Sequence, residues 1–306
     1  MVNWRELHVT EEEQKKIQEV IDSGAGKTLP KEKLEEFKTG HEESFMISTE
    51  AGDIRVYYYR PAGSEGKVLP AYLNLHGGGF VKGRRDQDTV LDRNYCEKTG
   101  WAVIDIDYIP APTVRYPGQV YQTYGVLQYC TDQANAEKLG IDPECIVLGG
   151  HSAGGNLTAA ATLMAIDRNG RLPKGIILDY AVLDNSTSAS EKTNGDSTPS
   201  LPLWKQELYS KMYADPDQRN EVYCSPALAS DEQLRRMPMT LMLYCENDVF
   251  CDEAAAFQSR LLAQGIQVYG KRFFHSSHGF TVRRNGEYEV AEKMIFEFLN
   301  MMRYFE

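Results

Sequence analysis

The residues able to do chemistry in this chain fall in a few short stretches. Gly150-His151-Ser152-Ala153-Gly154 sets a serine between two glycines. Cys145-Ile146-Val147-Leu148 before it reads as a buried strand, and Leu157 to Met164 after it, rich in alanine, reads as a helix. A G-x-S-x-G at such a junction holds the serine backbone in a strained turn with its hydroxyl clear of the sheet, and the glycines leave room for close approach. Ser152 is therefore the candidate nucleophile. The competing reading is a glycine-rich turn that binds phosphate through helix-terminal N–H groups; it requires G-x-G-x-x-G in the first βα unit, and the spacing here does not match.

A serine hydroxyl attacks only when a nearby imidazole accepts its proton, and the imidazole needs a carboxylate to fix its tautomer. Downstream of Ser152 the sequence holds only His275 and His278. His278, in Ser276-Ser277-His278-Gly279-Phe280, falls in the loop after the last expected strand and is favoured. His275 lies closer to Arg272-Phe273-Phe274 and is more readily oriented by that strand. For the acid, Asp248 follows Leu241 to Asn247 at the C-terminal end of the penultimate strand, where open α/β sheets build their sites. Asp252 and Glu253 fit better as the first turn of the next helix, and Asp179 and Asp184 belong to an earlier strand and its end. The oxygen that turns negative during attack needs donors. Backbone N–H groups of Gly78 and Gly79, in His76-Gly77-Gly78-Gly79-Phe80, and of Ala153 are the candidates, each able to lower the barrier by roughly 3 kcal/mol. No metal and no organic cofactor is required.

The elements that must position these residues alternate. Phe45 to Ser48 and Arg55 to Arg60 read as a hairpin, followed by strands at Leu69 to Leu75, Trp101 to Tyr108, Cys145 to Leu148, Lys174 to Leu183, Thr240 to Cys245 and Val268 to Phe274. Helices are expected over Gly118 to Leu139, Asp252 to Gln264 and Gly286 to Tyr304. Such βαβ alternation predicts an α/β fold, a mostly parallel central sheet flanked by helices. Residues 1–44 form a helical N-terminal segment, Thr10 to Ile21 and Leu29 to Phe37, with a capping box at Thr10; it is either a mobile appendage or a lid. Residues 45–306 form the main domain, interrupted by an insertion at about 185–237. That insertion is too long for a bare loop; its first half is polar, and Leu203 to Tyr213 reads as a helix with Trp204, Leu208 and Met212 on one stripe. Gly26-Lys27-Thr28 is no phosphate loop, because position 21 is Ile where that motif needs glycine.

The 306 residues carry a formal charge of −11, which argues against general nucleic-acid or anionic-membrane binding. No apolar run reaches membrane-spanning length, so stable membrane insertion is not expected, and the N-terminus lacks the apolar stretch of a signal peptide. A cytoplasmic location is the simplest expectation. Six scattered cysteines with no C-x-x-C pair are expected to be buried and reduced. The C-terminal stripe Ile295, Phe298, Leu299 and Met302 suits packing on the sheet, and the apolar residues beyond it leave room for a homodimer contact.

From about residue 45 onward the chain resembles the hormone-sensitive-lipase-like, family IV carboxylesterases of the α/β-hydrolase superfamily. The likeness rests on His76-Gly77-Gly78-Gly79-Phe80, on Gly150 to Asn156, on Asp248 followed by Asp252-Glu253, and on His278-Gly279-Phe280. It implies the α/β-hydrolase fold, esterase activity, Ser152, Asp248 and His278 as catalytic triad and Gly78, Gly79 and Ala153 as oxyanion hole. It further implies a helical cap made from the N-terminal helices, and a structural role for His76 in supporting the glycine loop. Two stretches depart from the family pattern. Position 151 is His where an acidic residue is usual, and Tyr108-Ile109-Pro110-Ala111-Pro112-Thr113 replaces Tyr-Arg-Leu-Ala-Pro-Glu.

The expected function is a serine carboxylesterase acting on short-chain esters, acetyl foremost, through an acyl-enzyme on Ser152; a sugar acetate is one candidate small-molecule substrate. Two alternatives use the same residues or fold: a non-catalytic small-ligand receptor, and an amidase or peptidase. A receptor on this fold typically lacks a triad member, and no handle for a peptide chain is visible.

Overall fold

A computed structural model describes residues 9–24, 29–193 and 201–305. The N-terminal stretch read for a leader, Gly26-Lys27-Thr28 and part of the polar half of the insertion lie outside the described residues. In chain order the strands are β1 (His41–Thr49), β2 (Gly52–Arg60), β3 (Leu69–Leu75), β4 (Ala102–Asp107), β5 (Ile141–His151), β6 (Gly175–Asp179), β7 (Met239–Asn247) and β8 (Val268–Ser277). The helices are α1 (Glu11–Gly24), α2 (Lys31–Leu34), α3 (Asp86–Thr99), α4 (Gly118–Thr131), α5 (Gln133–Leu139), α6 (Ala153–Asp167), α7 (Leu203–Tyr213), α8 (Asp231–Leu234), α9 (Cys251–Ala263), α10 (Phe280–Arg283) and α11 (Tyr288–Met302).

The strands form one sheet in the order β1-β2-β4-β3-β5-β6-β7-β8. β1 and β2 pair antiparallel, as do β2 and β4, and the other pairs are parallel. Central strands in such a sheet are covered on both faces, which is why β3 and β5 read as unbroken apolar runs. Alternate residues serve opposite layers: Leu73 and Leu148 join the core under α4, α6 and α9, whereas Tyr72 and Val147 join the core under α3 and α11. All six cysteines are free and buried, with Cys130, Cys224 and Cys251 in the first layer and Cys96, Cys145 and Cys245 in the second.

The structure corrects the sequence expectations at several elements. The helix expected over Gly118 to Leu139 breaks at Asp132, whose extended backbone and side chain cap α5 by accepting from Asn135 N at 3.0 Å. α3 was not legible because its buried face carries Asp88, Asp92 and Asn94, so no apolar stripe marks it. The second N-terminal helix shrinks to the four residues of α2. α7 has the expected bounds, but Trp204 is exposed while Leu208 and Met212 are buried.

α1 and α7 meet over the C-terminal edge of the sheet. Ile17 and Val20 of α1 are buried with Leu208, Tyr209 and Met212 of α7 and with Val81, Val182 and Phe250 of the main domain. Thr10 and Glu13 form the expected capping box, and Glu13 also pairs with Lys211 of α7 at 2.9 Å. The Lys211 ammonium and the Thr10 N–H hold the Glu13 carboxyl down to about 2.

Glu253 lies in the first turn of α9, as expected, but it is drawn inward. Its side chain is 9% exposed, and it accepts from Leu183 N at 2.7 Å, Asp184 N at 3.1 Å and Lys192 Nζ at 2.6 Å. Glu253→Ala is therefore expected to destabilise the protein by about 3–5 kcal/mol, since it leaves two backbone donors unpaired and takes the counter-charge from a buried ammonium that keeps the Asp184 carbonyl. Urea unfolding of Glu253→Ala beside Glu253→Gln measures this; equal stability of Ala variant and parent would contradict it.

Candidate active site

β5 runs into Ser152 and α6 leaves from it. Ser152 has φ 56° and ψ −118°, a conformation that L residues rarely adopt, and its N–H donates to Asp179 O at 2.9 Å. The flanking glycines make the turn feasible. A Cβ at Gly150 would sit 2.6 Å from Gly154 C, and one at Gly154 would run into the Leu75 carbonyl. Sequence spacing and local geometry thus agree on an elbow that presents the Ser152 side chain.

His278 follows β8 immediately, and Asp248 follows β7. Ser152 Oγ lies 2.9 Å from His278 Nε2, and His278 Nδ1 lies 2.8 Å from Asp248 Oδ2. Asp248 is 1% exposed, so its charge is spent on the imidazole and on neighbouring donors such as Phe250 N, 3.4 Å from its Oδ1. Tyr180 and Phe250 meet the His278 ring edge-on, at centroid distances of 5.0 and 5.4 Å, and fix its plane. His275 is exposed and takes no part; its N–H donates to Glu287. Asp252 is exposed as well.

The glycine loop is braced from below. His76 is fully buried, stacks on Tyr108 at 4.2 Å, and has Nδ1 2.9 Å from Gly77 O. Gly78 and Gly79 hold φ 135° and 62°, and Val81 N and Lys82 N both donate to Gly78 O, which closes the turn. Gly78, Gly79, Ser152 and His278 line one cavity, and Ala153 is the first residue of α6 beside them. No sequence pattern marks Gln119, whose amide donates to Phe80 O, Ile109 O and Val114 O and locks the loop to the segment leading into α4. Nor does any pattern mark the stacking of Phe80 on Tyr213 of α7 at 3.7 Å. A buried Gln and two aromatics leave no periodic signature.

His151, the departure beside the nucleophile, faces a carboxylate of α3. Its Nε2 is 3.5 Å from Asp88 Oδ1, and both residues are buried. Burial alone would raise Asp88, but the His151 contact and the Arg85 guanidinium hold its carboxyl well below the usual range. Burial in turn lowers His151.

Asp179 sits under the elbow with Thr281 Oγ1 donating to its Oδ2 at 2.5 Å. Burial, with the nearby Asp248 charge adding to it, pushes its carboxyl up to about 8. An unfolded Asp titrates near 4, so between about pH 4 and 8 the native state holds a proton that the unfolded chain lacks. This group therefore adds stability at low pH and loses it as pH rises through its folded value. Asp179→Asn, which keeps an acceptor for Thr281, is expected to flatten the decline in stability from pH 6 to pH 8. Urea midpoints across that range test it; parallel curves for parent and variant would refute it.

The cavity above these groups has a volume of about 130 Å³. Gly77 to Phe80 form one wall, Tyr209 of α7 another, and Val182, Phe250 and Val282 supply apolar surface. For scale, an enclosed apolar cavity of about 150 Å³ holds one benzene.

Comparison with known proteins converges on the same fold. A family profile described as alpha/beta hydrolase fold matches residues 72–282. The acetyl esterase of Salmonella typhi is 30% identical over 227 residues, covering 73% of this chain and 66% of that protein. A relative from Acanthamoeba polyphaga mimivirus, named as an alpha/beta hydrolase, is 28% identical over 222 residues. That match covers 72% of this chain, which spans only 63% of the viral protein's length. Among solved structures, the hyperthermophilic esterase of Pyrobaculum calidifontis superposes with a TM-score of 0.80 at 26% identity, over 96% of this chain and 92% of that one. Among the described residues no helix is long and apolar enough to cross a membrane. With the profile covering most of the sheet and every motif stretch, the chain belongs to the α/β-hydrolase fold family, in its hormone-sensitive-lipase-like branch.

Proposed function

We propose that this protein is a serine carboxylesterase that hydrolyses short-chain esters, acetyl esters foremost. The observation carrying this reading is the unbroken relay Ser152–His278–Asp248, at 2.9 and 2.8 Å, opening on a small cavity lined by Gly78 and Gly79. Ser152 Oγ attacks the ester carbonyl as His278 Nε2 takes its proton. The Asp248 carboxylate steadies the resulting imidazolium, and N–H groups of Gly78, Gly79 and Ala153 receive the oxyanion. Collapse breaks the bond to the alcohol, which leaves with the proton from His278. Water then gives a proton to His278 and attacks the acyl carbon, and Ser152 Oγ departs with that proton. In this reading residues 1–44 and 185–237 form the cap over a domain of residues 45–306, and His76 supports the oxyanion loop.

The size of the cavity and the esterase relatives support small acyl groups. Hydrolysis of p-nitrophenyl esters from acetyl to long acyl, with Ser152→Ala alongside, tests the proposal. Turnover is expected to fall as the chain lengthens and to vanish in the variant. A folded parent that turns over none of the series would return the receptor reading, and matched amides hydrolysed as fast as esters would favour the amidase.

A further inference from the structure

The esterase mechanism gives His151 no task, although it directly precedes the nucleophile and borders the cavity that holds Ser152 and His278. A Cβ built on Gly77 would stand 2.9 Å from His151 Cδ2 and 3.3 Å from Ser152 Cβ. The imidazole and the nucleophile therefore flank the same point of the glycine loop.

The two ring nitrogens have different surroundings. Nε2 is enclosed, has no hydrogen-bond partner, and lies 3.5 Å from Asp88 Oδ1, which is enclosed and unpartnered as well. Burial lowers His151, so near neutral pH the ring carries a single proton. Asp88, whose carboxyl is held well below the usual range, is ionised and draws that proton to Nε2. Nδ1 is then a bare acceptor. With Cδ2 against Gly77 and Nε2 toward Asp88, the opposite ring edge, which carries Nδ1, is the one left to the cavity. Tyr180, whose ring centroid lies 6.0 Å away, meets Thr281 with its hydroxyl at 3.2 Å. The order carboxylate, imidazole, cavity repeats that of Asp248 and His278, with the two ring nitrogens exchanged.

We propose that His151 Nδ1 is a specificity-determining acceptor that receives a substrate hydroxyl close to the scissile ester, so that the preferred ester is that of a polyol or of a hydroxy acid. This rests on the esterase reading above and narrows its substrate class. If His151 only braced Gly77, hydroxylated and plain esters would benefit alike.

The test compares kcat/KM within two series, each value divided by the ester's rate of hydroxide hydrolysis. One series is 2-hydroxyethyl, 2-methoxyethyl and propyl acetate; the other is the ethyl esters of glycolic, methoxyacetic and propionic acid. In one of them the hydroxy ester is expected to lead both companions roughly tenfold, the scale of one hydrogen bond to an otherwise unpaired acceptor. The series that shows it tells whether the hydroxyl belongs to the alcohol or to the acyl side. In His151→Gln, whose amide keeps a donor for Asp88 but has no atom in place of Nδ1, that lead should fall at least several-fold, whatever happens to the absolute rates. Equal turnover within both series, or a lead unmoved in His151→Gln, overturns the proposal. NMR of nitrogen-labelled histidine in Ser152→Ala gives a second reading that needs no turnover. The His151 Nδ1 signal should be that of an unprotonated nitrogen and should shift with the hydroxy esters but not with the methoxy ones; a protonated Nδ1 would refute the assignment. Selective binding there by a protein that hydrolyses no ester would sink the esterase reading and leave the acceptor. Ester hydrolysis with no selectivity in either assay would do the reverse.

Discussion

Asp248→Asn is expected to lower kcat for p-nitrophenyl acetate about 10⁴-fold while leaving KM within about threefold. The reason is tautomeric. His278 Nδ1 lies 2.8 Å from an Asp248 oxygen that only accepts, so Nδ1 carries the proton and Nε2 is left bare to receive the one from Ser152. An asparagine can turn its amide toward Nδ1 and donate, which moves the ring proton to Nε2 and blocks the transfer. Because the replacement is nearly isosteric and the aromatic walls at Tyr180 and Phe250 remain, the fold and the cavity should survive. Asp252→Asn, on the exposed start of α9, is the matched control and should behave like the parent. A tenth or more of parental activity in folded Asp248→Asn would show that another group orients the histidine.

Gly79→Ala is expected to lower kcat/KM by about 10²–10³-fold, because in the proposed mechanism it displaces the Gly79 N–H from the oxyanion. Two effects act together. A left-handed φ of 62° costs a non-glycine residue about 1–2 kcal/mol, and the new methyl would collide with the Tyr209 ring of α7. Adding Tyr209→Ala removes the second effect only. Recovery of most of the lost activity in Gly79→Ala/Tyr209→Ala would assign the damage to the Tyr209 ring pressing on the loop. No recovery would assign it to the backbone. A fully active Gly79→Ala would remove Gly79 from the oxyanion hole.

Much of this site is legible in sequence because its chemistry depends on backbone geometry that few residues tolerate. The elbow needs glycine at 150 and 154 for contact reasons, and the loop needs it at 78 and 79 for φ, so spacing alone locates both. Strand order then restricts the acid and the base to the ends of β7 and β8, where Asp248 and His278 stand. What the sequence conceals is polar burial. α3 hides because Asp88, Asp92 and Asn94 face inward, and Asp92 and Asn74 meet at 2.7 Å inside the protein. Glu253 looks like an ordinary first-turn carboxylate until its partners from the β6 loop and Lys192 are seen. Periodicity records which residues avoid water; it is silent about polar residues that satisfy one another, as Asn74 with Asp92 and Glu253 with Lys192 do here.

The placement of the thiols carries a consequence for how this molecule comes apart. Burial raises every one of them, so in the native state none is a ready nucleophile. Alkylation must wait for an opening event, and its rate becomes a clock for that event. With Cys130, Cys224 and Cys251 beneath one helical layer and Cys96, Cys145 and Cys245 beneath the other, the chain carries its own two-channel recorder. Peptide mapping after a timed pulse of iodoacetamide would read which side of the sheet lets solvent in first, with no label to engineer.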